Sequence, residues 1–311
     1  MIRSTTRRGA LTALAAGAAL LAGACVPDSG TPTTTTTTTI APNPVKSISD
    51  ATFEWTISRE VDNGTYAPGQ VNYWSAGQSD STEDTYVATN GNAMVLKKNA
   101  SGDYVPIGSE PSVSWATRGK DGAGNTVTAT NAFFLGQLIR YSNGVGTVNV
   151  DTGEATIHWT GTVTVNVLGL YLPFWIVDPT LTVDAEGTGR LTASVGGYVV
   201  DRNDTSIRTP LTPVDDVVLA EIPDVFSTGA VSTGFAAGLP DYLGRTAIAP
   251  PTAAQQPAQS PANAAYWGSW PQSFVDFHLG AGAGSYWYTS GGSADPRKVQ
   301  EPIAVSYTLD D

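Results

Sequence analysis

The sequence predicts an all-β fold: a β-sandwich-like domain of two sheets with minor short helices, preceded by a signal peptide and a disordered linker. Residues 156–195 alternate apolar and polar side chains with the two-residue period of half-buried strands. Charged residues make up only 14% of the chain, while Gly, Thr, Tyr and Trp are frequent, as in secreted β domains with many turns. We find no heptads, no internal repeat and no helix of convincing length, which also favours β structure.

The clearest strand signals lie between Thr156 and Val195. One strand is predicted from Ile157 to Val167, a second from Thr180 to Asp184 and a third from Leu191 to Val195, with the turn AEGTGR between the last two. Residues 235–242 are predicted to be a loop that closes on a tyrosine, and residues 248–264 a flexible link. Shorter strands are predicted at 53–57, 71–74, 94–97, 104–107, 126–130, 198–201, 216–222 and 303–309.

The first 24 residues have the pattern of a secretory signal. A basic start precedes an apolar run from Ala10 to Leu21, which is too short to span a bilayer, and Ala22-Gly23-Ala24 follows as a cleavage site. Cys25 is the only cysteine, which rules out an internal disulfide, and its position directly after that site resembles a bacterial lipobox. The sequence therefore predicts lipidation at Cys25, with simple secretion as the alternative.

Four segments are predicted. Residues 1–24 are the signal peptide, and residues 25–46 are the lipidated cysteine and a Thr/Pro tether that lacks the apolar surface needed to fold. Residues 47–250 form the β domain. Residues 251–311 form a Pro/Ala linker and an aromatic-rich extension that packs on that domain. The expected location is the cell envelope, anchored to the outer face of the cytoplasmic membrane, or the medium after secretion.

Charge excludes one class of partner. The net charge is −12, and three of the 16 basic residues lie in the signal peptide. Nucleic-acid binding requires a basic surface that displaces counterions, and the sequence contains no basic stripe. The membrane is therefore expected as a partner only through the lipid anchor.

Catalytic and metal-binding patterns are weak. The two histidines, His158 and His278, share no metal-ligand spacing, and no Gly-x-Ser-x-Gly elbow is present. His158 lies on the polar face of a predicted strand, and His278 follows two phenylalanines, so solvent-facing and packing roles are expected. We predict no catalytic residues, no metal ligands and no enzymatic activity. The eight Trp and twelve Tyr offer platforms for a flat ligand or a sugar ring, or they fill the core.

Two runs of residues carry a family resemblance. GTVNVDTGEATIHWTGTVTVN precedes a hairpin that begins Asp178-Pro179-Thr180-Leu181 and continues through Val183, Asp184, Gly187, Gly189 and Leu191. These runs resemble the HtaA domain, the haem-transport-associated module of actinobacterial surface proteins. Trp55, Tyr66 and the GLPDY loop ending at Tyr242 resemble its opening and later elements. The resemblance covers about residues 50–250 and implies an all-β domain.

The resemblance also implies extracytoplasmic haem capture. In the family a tyrosine is the main iron ligand, supported by a histidine and a second tyrosine, which carries over to Tyr66 and Tyr242 as candidates. The family histidine would follow the strand at Thr160–Val165, where this chain has Asn166 to Tyr171, so Tyr171 is the third candidate. Haem or another flat hydrophobic ligand is the expected partner, and no other cofactor is expected.

The alternative is a structural or adhesion module that binds envelope glycan or protein and has no haem site. It would use aromatic side chains of the Tyr266–Tyr288 segment, including Trp267 and Trp287.

Overall fold

The computed structural model describes residues 44–67, 69–226 and 231–310. Within them the chain is all-β, as predicted, with one α-helix and five short 3-10 helices. The strands are β1 Val45–Trp55, β2 Tyr73–Ala76, β3 Thr89–Asn90, β4 Ala93–Lys98, β5 Tyr104–Pro106, β6 Gln137–Asn149, β7 Ala155–His158, β8 Thr162–Val167, β9 Leu172–Val183, β10 Gly189–Val200, β11 Arg208–Ile222, β12 Gly234–Gly238 and β13 Ile303–Ser306. The α-helix is α1 Gln272–Gly280, and the 3-10 helices are Glu83–Thr85, Pro111–Val113, Trp115–Thr117, Gly284–Tyr286 and Asp295–Arg297.

The N-terminal predictions fall mostly outside the described residues. The signal peptide, Cys25 and the tether up to residue 43 all lie there. The last predicted tether residues, Val45 and Lys46, already belong to β1, where they pair with β6.

All 13 strands form one hydrogen-bonded network, in the order β11-β10-β9-β7-β6-β1-β13-β12, with further strands branching from it. The network forks because β9 pairs with β7 along one half of its length and with β8 along the other. Likewise, β6 pairs with β7 at one end and with β4 at the other. The strands predicted to form two sheets thus belong to a single branched network, which hydropathy alone does not reveal.

Gly161 lies at the fork, between β7 and β8. It has a φ of 130°, and a Cβ atom there would approach the Asn90 carbonyl oxygen to 2.4 Å. Only glycine allows both this backbone conformation and this close approach. The ladder predicted as one strand from Ile157 to Val167 is therefore two strands, and the break between them lets the branches separate.

The core beside the fork is aromatic. Phe53 of β1 lies 5.6 Å from Trp159 and 5.8 Å from Tyr141 between ring centroids. The polar atoms of these rings are satisfied: Trp159 Nε1 donates to the Ala51 carbonyl at 2.9 Å, and Tyr141 Oη donates to the Ile176 carbonyl at 3.1 Å. The second bond joins β6 to β9, so it fixes the distance between strands that are not neighbours in the sheet.

The C-terminal segment completes the sheet. Strand β13 lies between β1 and β12, and it pairs Val305 with both Phe53 and Phe235. Residues 248–264, predicted to be flexible, contain no helix or strand, yet they accept hydrogen bonds from the rings that follow. Tyr288 Oη donates to the Ala254 carbonyl and Trp267 Nε1 to the Pro257 carbonyl. These contacts hold the segment against the aromatic extension.

Other elements also differ from the sequence predictions. Residues 126–130, predicted to be a strand, make only the isolated bridge of Thr126 to Lys120, because the Asn131 side chain bonds the backbone of Thr126 and Thr128. Residues 235–238, predicted to be part of a loop, belong to β12 because β13 offers a strand edge distant in sequence. Helix α1 was not predicted. It has only nine residues, but Phe274, Phe277 and His278 have helical spacing and Pro271 occupies the N-cap, a signal that the density of aromatic residues concealed.

Candidate functional site

Tyr66 lies on an exposed loop between β1 and β2. Its side chain is 57% exposed, and its hydroxyl lies 3.3 Å from Ser293 Oγ. The pKa of Tyr66 is lowered, first by the hydrogen bond with Ser293 and then by that with Arg297. An accessible phenol that ionises more readily than a free tyrosine is an available oxygen donor.

A cavity of about 260 Å³ adjoins Tyr66, and we call it the Tyr66 cavity. Two ion pairs hold its walls: Arg297 Nε lies 2.9 Å from Glu60 Oε2, and Lys298 Nζ lies 2.6 Å from Asp295 Oδ1. Its lining residues are Glu60, Tyr66, Ser285, Tyr286, Ser290, Gly292, Ser293, Ala294 and Lys298.

The charges around this cavity are largely engaged within the protein. Lys298 Nζ also donates to the Ser285 and Tyr288 carbonyls and to Ser290 Oγ, at 2.7 to 2.9 Å. With four partners the ammonium group is fully used, so Tyr66 is the group on this wall best able to contact a ligand.

Tyr242 occupies a different environment. It is 1% exposed, and the bridge between Leu243 and Gly268 fixes the chain beside it. Burial raises its pKa, so the neutral phenol is strongly favoured. Packing is close, because a Cβ on Gly268 would lie 2.0 Å from the Tyr242 carbonyl oxygen. A ligand could reach this side chain only if the surrounding segment opened.

Tyr171 lies in the turn between β8 and β9. It is half-buried against the core, and its carbonyl accepts a hydrogen bond from Val200 N at 3.1 Å. The Tyr66 cavity is lined by neither Tyr171 nor Tyr242. The three tyrosines selected from the sequence thus comprise one exposed, one half-buried and one buried side chain, and Tyr66 alone among them lines this cavity.

The stretch in which the resemblance places a histidine is buried over residues 166–169. Asn166 is fully buried and accepts a hydrogen bond from Ser81 Oγ at 2.8 Å. Leu168 N donates to Asn72 Oδ1 at 2.9 Å, in a backbone conformation with a φ of 54°. These contacts join Asn166 and the turn after β8 to the loops before and after β2.

The two histidines have structural roles. His158 Nδ1 lies 2.9 Å from Thr180 Oγ1 on the neighbouring strand, a cross-strand contact. His278 is enclosed by aromatic rings, with Phe274 and Trp287 both 4.6 Å away between centroids, and burial lowers its pKa to about 3. His278 is thus neutral at physiological pH and fills space in the core.

The aromatic extension is largely buried, which contradicts its expected use as an exposed binding surface. Trp267 is 9% exposed and Trp287 is 2% exposed. Trp270 stacks on Phe274 at 4.8 Å and meets Trp287 at 5.0 Å. We call this group the aromatic cluster: Phe174, Trp270, Phe274, His278 and Trp287. It attaches α1 to the sheet rather than presenting rings to a partner.

Sequence reasoning did not find the partners of Tyr66. Ser293 and Arg297 contact Tyr66 and Glu60 from more than 200 residues away in the chain. Among the described residues no group of three His, Cys, Asp or Glu side chains is placed to hold a metal ion. Over the same ranges, no helix has the length and hydropathy required to cross a membrane.

Comparisons with known proteins add one likeness. Neither protein-family models nor curated proteins match the chain. Among solved structures, the chain is similar to the C-terminal domain of HtaA from Corynebacterium glutamicum, with a TM-score of 0.39 and 15% identity over 85% of this chain and 99% of that one. It is also similar to the N-terminal domain of HtaA from the same organism, with a TM-score of 0.34 and 10% identity over the same shares.

These solved structures carry the name of the family that the sequence resembles. At TM-scores below 0.5 the likeness assigns neither a ligand nor a site to this chain. The function must therefore be argued from the side chains.

Proposed function

We propose that this protein is an exported, non-enzymatic ligand-binding protein of the cell envelope, and that it binds ferric haem at the Tyr66 cavity. One observation carries the proposal: Tyr66 is exposed, lines a cavity and has a lowered pKa. Phenolate is a hard oxygen donor suited to ferric iron.

The fit of these residues to haem rests on Tyr66 alone. Tyr66 would hold the iron, while Ser293 and Arg297 would stabilise its ionised form through the contacts they already make. Haem would supply the ferric centre and a flat apolar face. A cavity of about 260 Å³ is smaller than the range of roughly 300–1,000 Å³ typical of small-molecule sites, so part of the macrocycle would remain on the surface.

Haem titration of the purified full chain, followed in the Soret band, tests the proposal. We expect a saturable spectral change that Tyr66→Phe abolishes, because phenylalanine has no oxygen donor. Tyr104→Phe is the matched control, since Tyr104 is also exposed but lies outside this cavity. The proposal fails if the parent shows no saturable change, or if Tyr66→Phe binds as the parent does.

We further propose that Cys25 is lipidated and holds the domain at the outer face of the cytoplasmic membrane. Support comes from the apolar run before Cys25 and from the Thr/Pro composition after it. Cys25→Ala should move the protein from the membrane fraction to the medium, as judged by immunoblotting of both fractions. Membrane retention of this variant would contradict the proposal.

A further inference from the structure

A second cavity lies on the described surface, separate from the Tyr66 cavity. Its volume is about 350 Å³, and no residue lines both cavities. We call it the Tyr104 cleft. It is lined by Thr56, Ser58, Arg59, Asp62, Lys98, Tyr104, Phe134, Gly136 and Glu301.

Aromatic rings contribute to two walls of this cleft. Tyr104 on β5 is 37% exposed, and Lys98 Nζ lies 5.3 Å from its ring centroid. Phe134 is half-buried, and the Arg59 guanidinium lies 5.3 Å from its ring centroid. Cation–π contacts hold a ring and a cation together at each wall. Unlike the rings of the aromatic cluster, these rings border open space.

A fixed carboxylate supplies the polar side of the cleft. Asp62 Oδ2 accepts from Gly136 N at 3.0 Å, and Asp62 Oδ1 accepts from Gln137 N at 2.9 Å. Two backbone donors therefore orient the group before any ligand arrives. A carboxylate has about four lone-pair sites, so it can accept further hydrogen bonds from a ligand.

The charges of the cleft are balanced. Arg59 Nε lies 3.1 Å from Glu301 Oε1. Lys98 and Asp62 contribute one charge of each sign above the pKa of Asp62, which burial raises to about 7. An anionic ligand would meet two carboxylates, and a cationic ligand would meet a guanidinium and an ammonium group. The occupant that meets no such repulsion is neutral and rich in hydroxyl groups.

We propose that the Tyr104 cleft binds a neutral saccharide of one or two sugar rings. The C–H face of a pyranose would pack on Tyr104 or Phe134, and its hydroxyls would donate to Asp62 and accept from Arg59 or Lys98. A volume of about 350 Å³ lies at the lower end of the range of roughly 300–1,000 Å³ for small-ligand sites. The cleft shares no lining residue with the proposed haem site, and no residue of the Tyr266–Tyr288 segment lines it.

Saturation-transfer NMR on the full chain, with cellobiose, maltose and chitobiose as probes, tests this inference. We expect saturable transfer from at least one probe, and about tenfold weaker binding in Tyr104→Ala, which corresponds to ~1.4 kcal/mol. Lys98→Gln should also weaken binding, because it removes a cation and a cation–π contact. Phe133→Ala is the control, since Phe133 is 42% exposed beside Phe134 but does not line the cleft.

Near-UV circular dichroism verifies that each variant is folded. The inference is overturned if the parent gives no saturable transfer with any of the three probes. It is also overturned if folded Tyr104→Ala and Lys98→Gln both bind as the parent does, or if the uronic acid disaccharide of matching linkage binds as tightly as the neutral sugar. Weaker binding of the charged disaccharide supports the charge argument.

Discussion

The Tyr66 cavity and the aromatic cluster use similar side chains in opposite ways. At Tyr66, a ring on a surface loop is left exposed while one buried and one partly buried ion pair behind it engage the charged groups. In the aromatic cluster, Trp270, Phe274 and Trp287 cover one another and are at most 2% exposed. The difference teaches that a high density of aromatic residues indicates stability as readily as binding, and that exposure separates the two.

The largest expected effect tests whether the aromatic cluster stabilises the fold. Trp270→Ala removes a ring that also packs on Trp55 and donates to the Lys298 carbonyl. We expect the free energy of unfolding to fall by about 3–5 kcal/mol in chemical denaturation. Phe133→Ala, at an exposed ring, should change it by less than about 0.5 kcal/mol. Equal losses in the two variants would show that a buried ring of the aromatic cluster stabilises the fold no more than an exposed ring does.

A second prediction concerns the ion pair behind Tyr66. Lys298 and Asp295 are both almost fully buried, so Lys298→Met leaves a buried carboxylate without its partner. We expect a loss of about 3–5 kcal/mol in chemical denaturation. The double variant Asp295→Asn, Lys298→Met should lose less than the sum of the two single losses, because neither charge is then left alone. Additive losses would show that the pair is not coupled.

The third prediction uses the pKa of His278. Its folded pKa of about 3 lies below the ordinary histidine value of 6.5, so between these values the unfolded chain binds more protons. Stability from this group is complete above pH 6.5 and falls with pH toward 3, by up to about 1.4 kcal/mol per unit. His278→Leu should remove this dependence, whereas Phe277→Leu, which does not titrate, should retain it.

Asp62 also makes stability depend on pH, so the pH profile of each variant must be compared with that of the parent. Burial raises the pKa of Asp62 from 3.8 to about 7, so between these values the folded state binds more protons. Its contribution therefore declines as pH rises over much of the range in which that of His278 grows. The measurement is the difference between the pH profiles of parent and variant. Identical profiles for parent and His278→Leu would contradict a depressed histidine.

The smallest expected effects concern the two tyrosines themselves. Tyr66→Phe should remove the phenol that ionises earliest in a tyrosinate absorbance titration, because hydrogen bonds lower its pKa. Tyr242→Phe should leave that early phase unchanged and alter stability by less than about 1 kcal/mol, since its buried hydroxyl has no hydrogen-bond partner. Loss of the early phase in Tyr242→Phe would reverse the comparison.

Local pattern was sufficient for much of the fold. The alternation at Ile157–Val167 predicted one strand where the structure has two, β7 and β8. The hairpin at Asp178–Leu191 predicted strands that the structure contains with longer boundaries. The predicted strand at residues 303–309 is β13 over most of its length. Strand β12 was missed because its pairing partner lies about 70 residues away, which no local window detects.

For the candidate sites too, the sequence supplied residues but not their burial or their distant neighbours. Sequence resemblance singled out Tyr66, Tyr171 and Tyr242 equally, because the residue type alone does not show whether a tyrosine is buried or exposed. The cleft beside Tyr104 was not predicted, since Asp62, Lys98 and Phe134 come from three separate segments.

The sequence by itself determined the period of the strands, the places where the chain turns, the acidic charge and the candidate lipidation site, because each depends on residues close together in the chain. Tertiary structure alone decided which rings are buried and which remain exposed. It also decided that Arg297 and Ser293 lie at Tyr66, and that a fixed carboxylate lies in a cleft with two aromatic rings. These features depend on contacts between segments distant in the chain, and such contacts form only when the chain packs and buries most of its apolar surface.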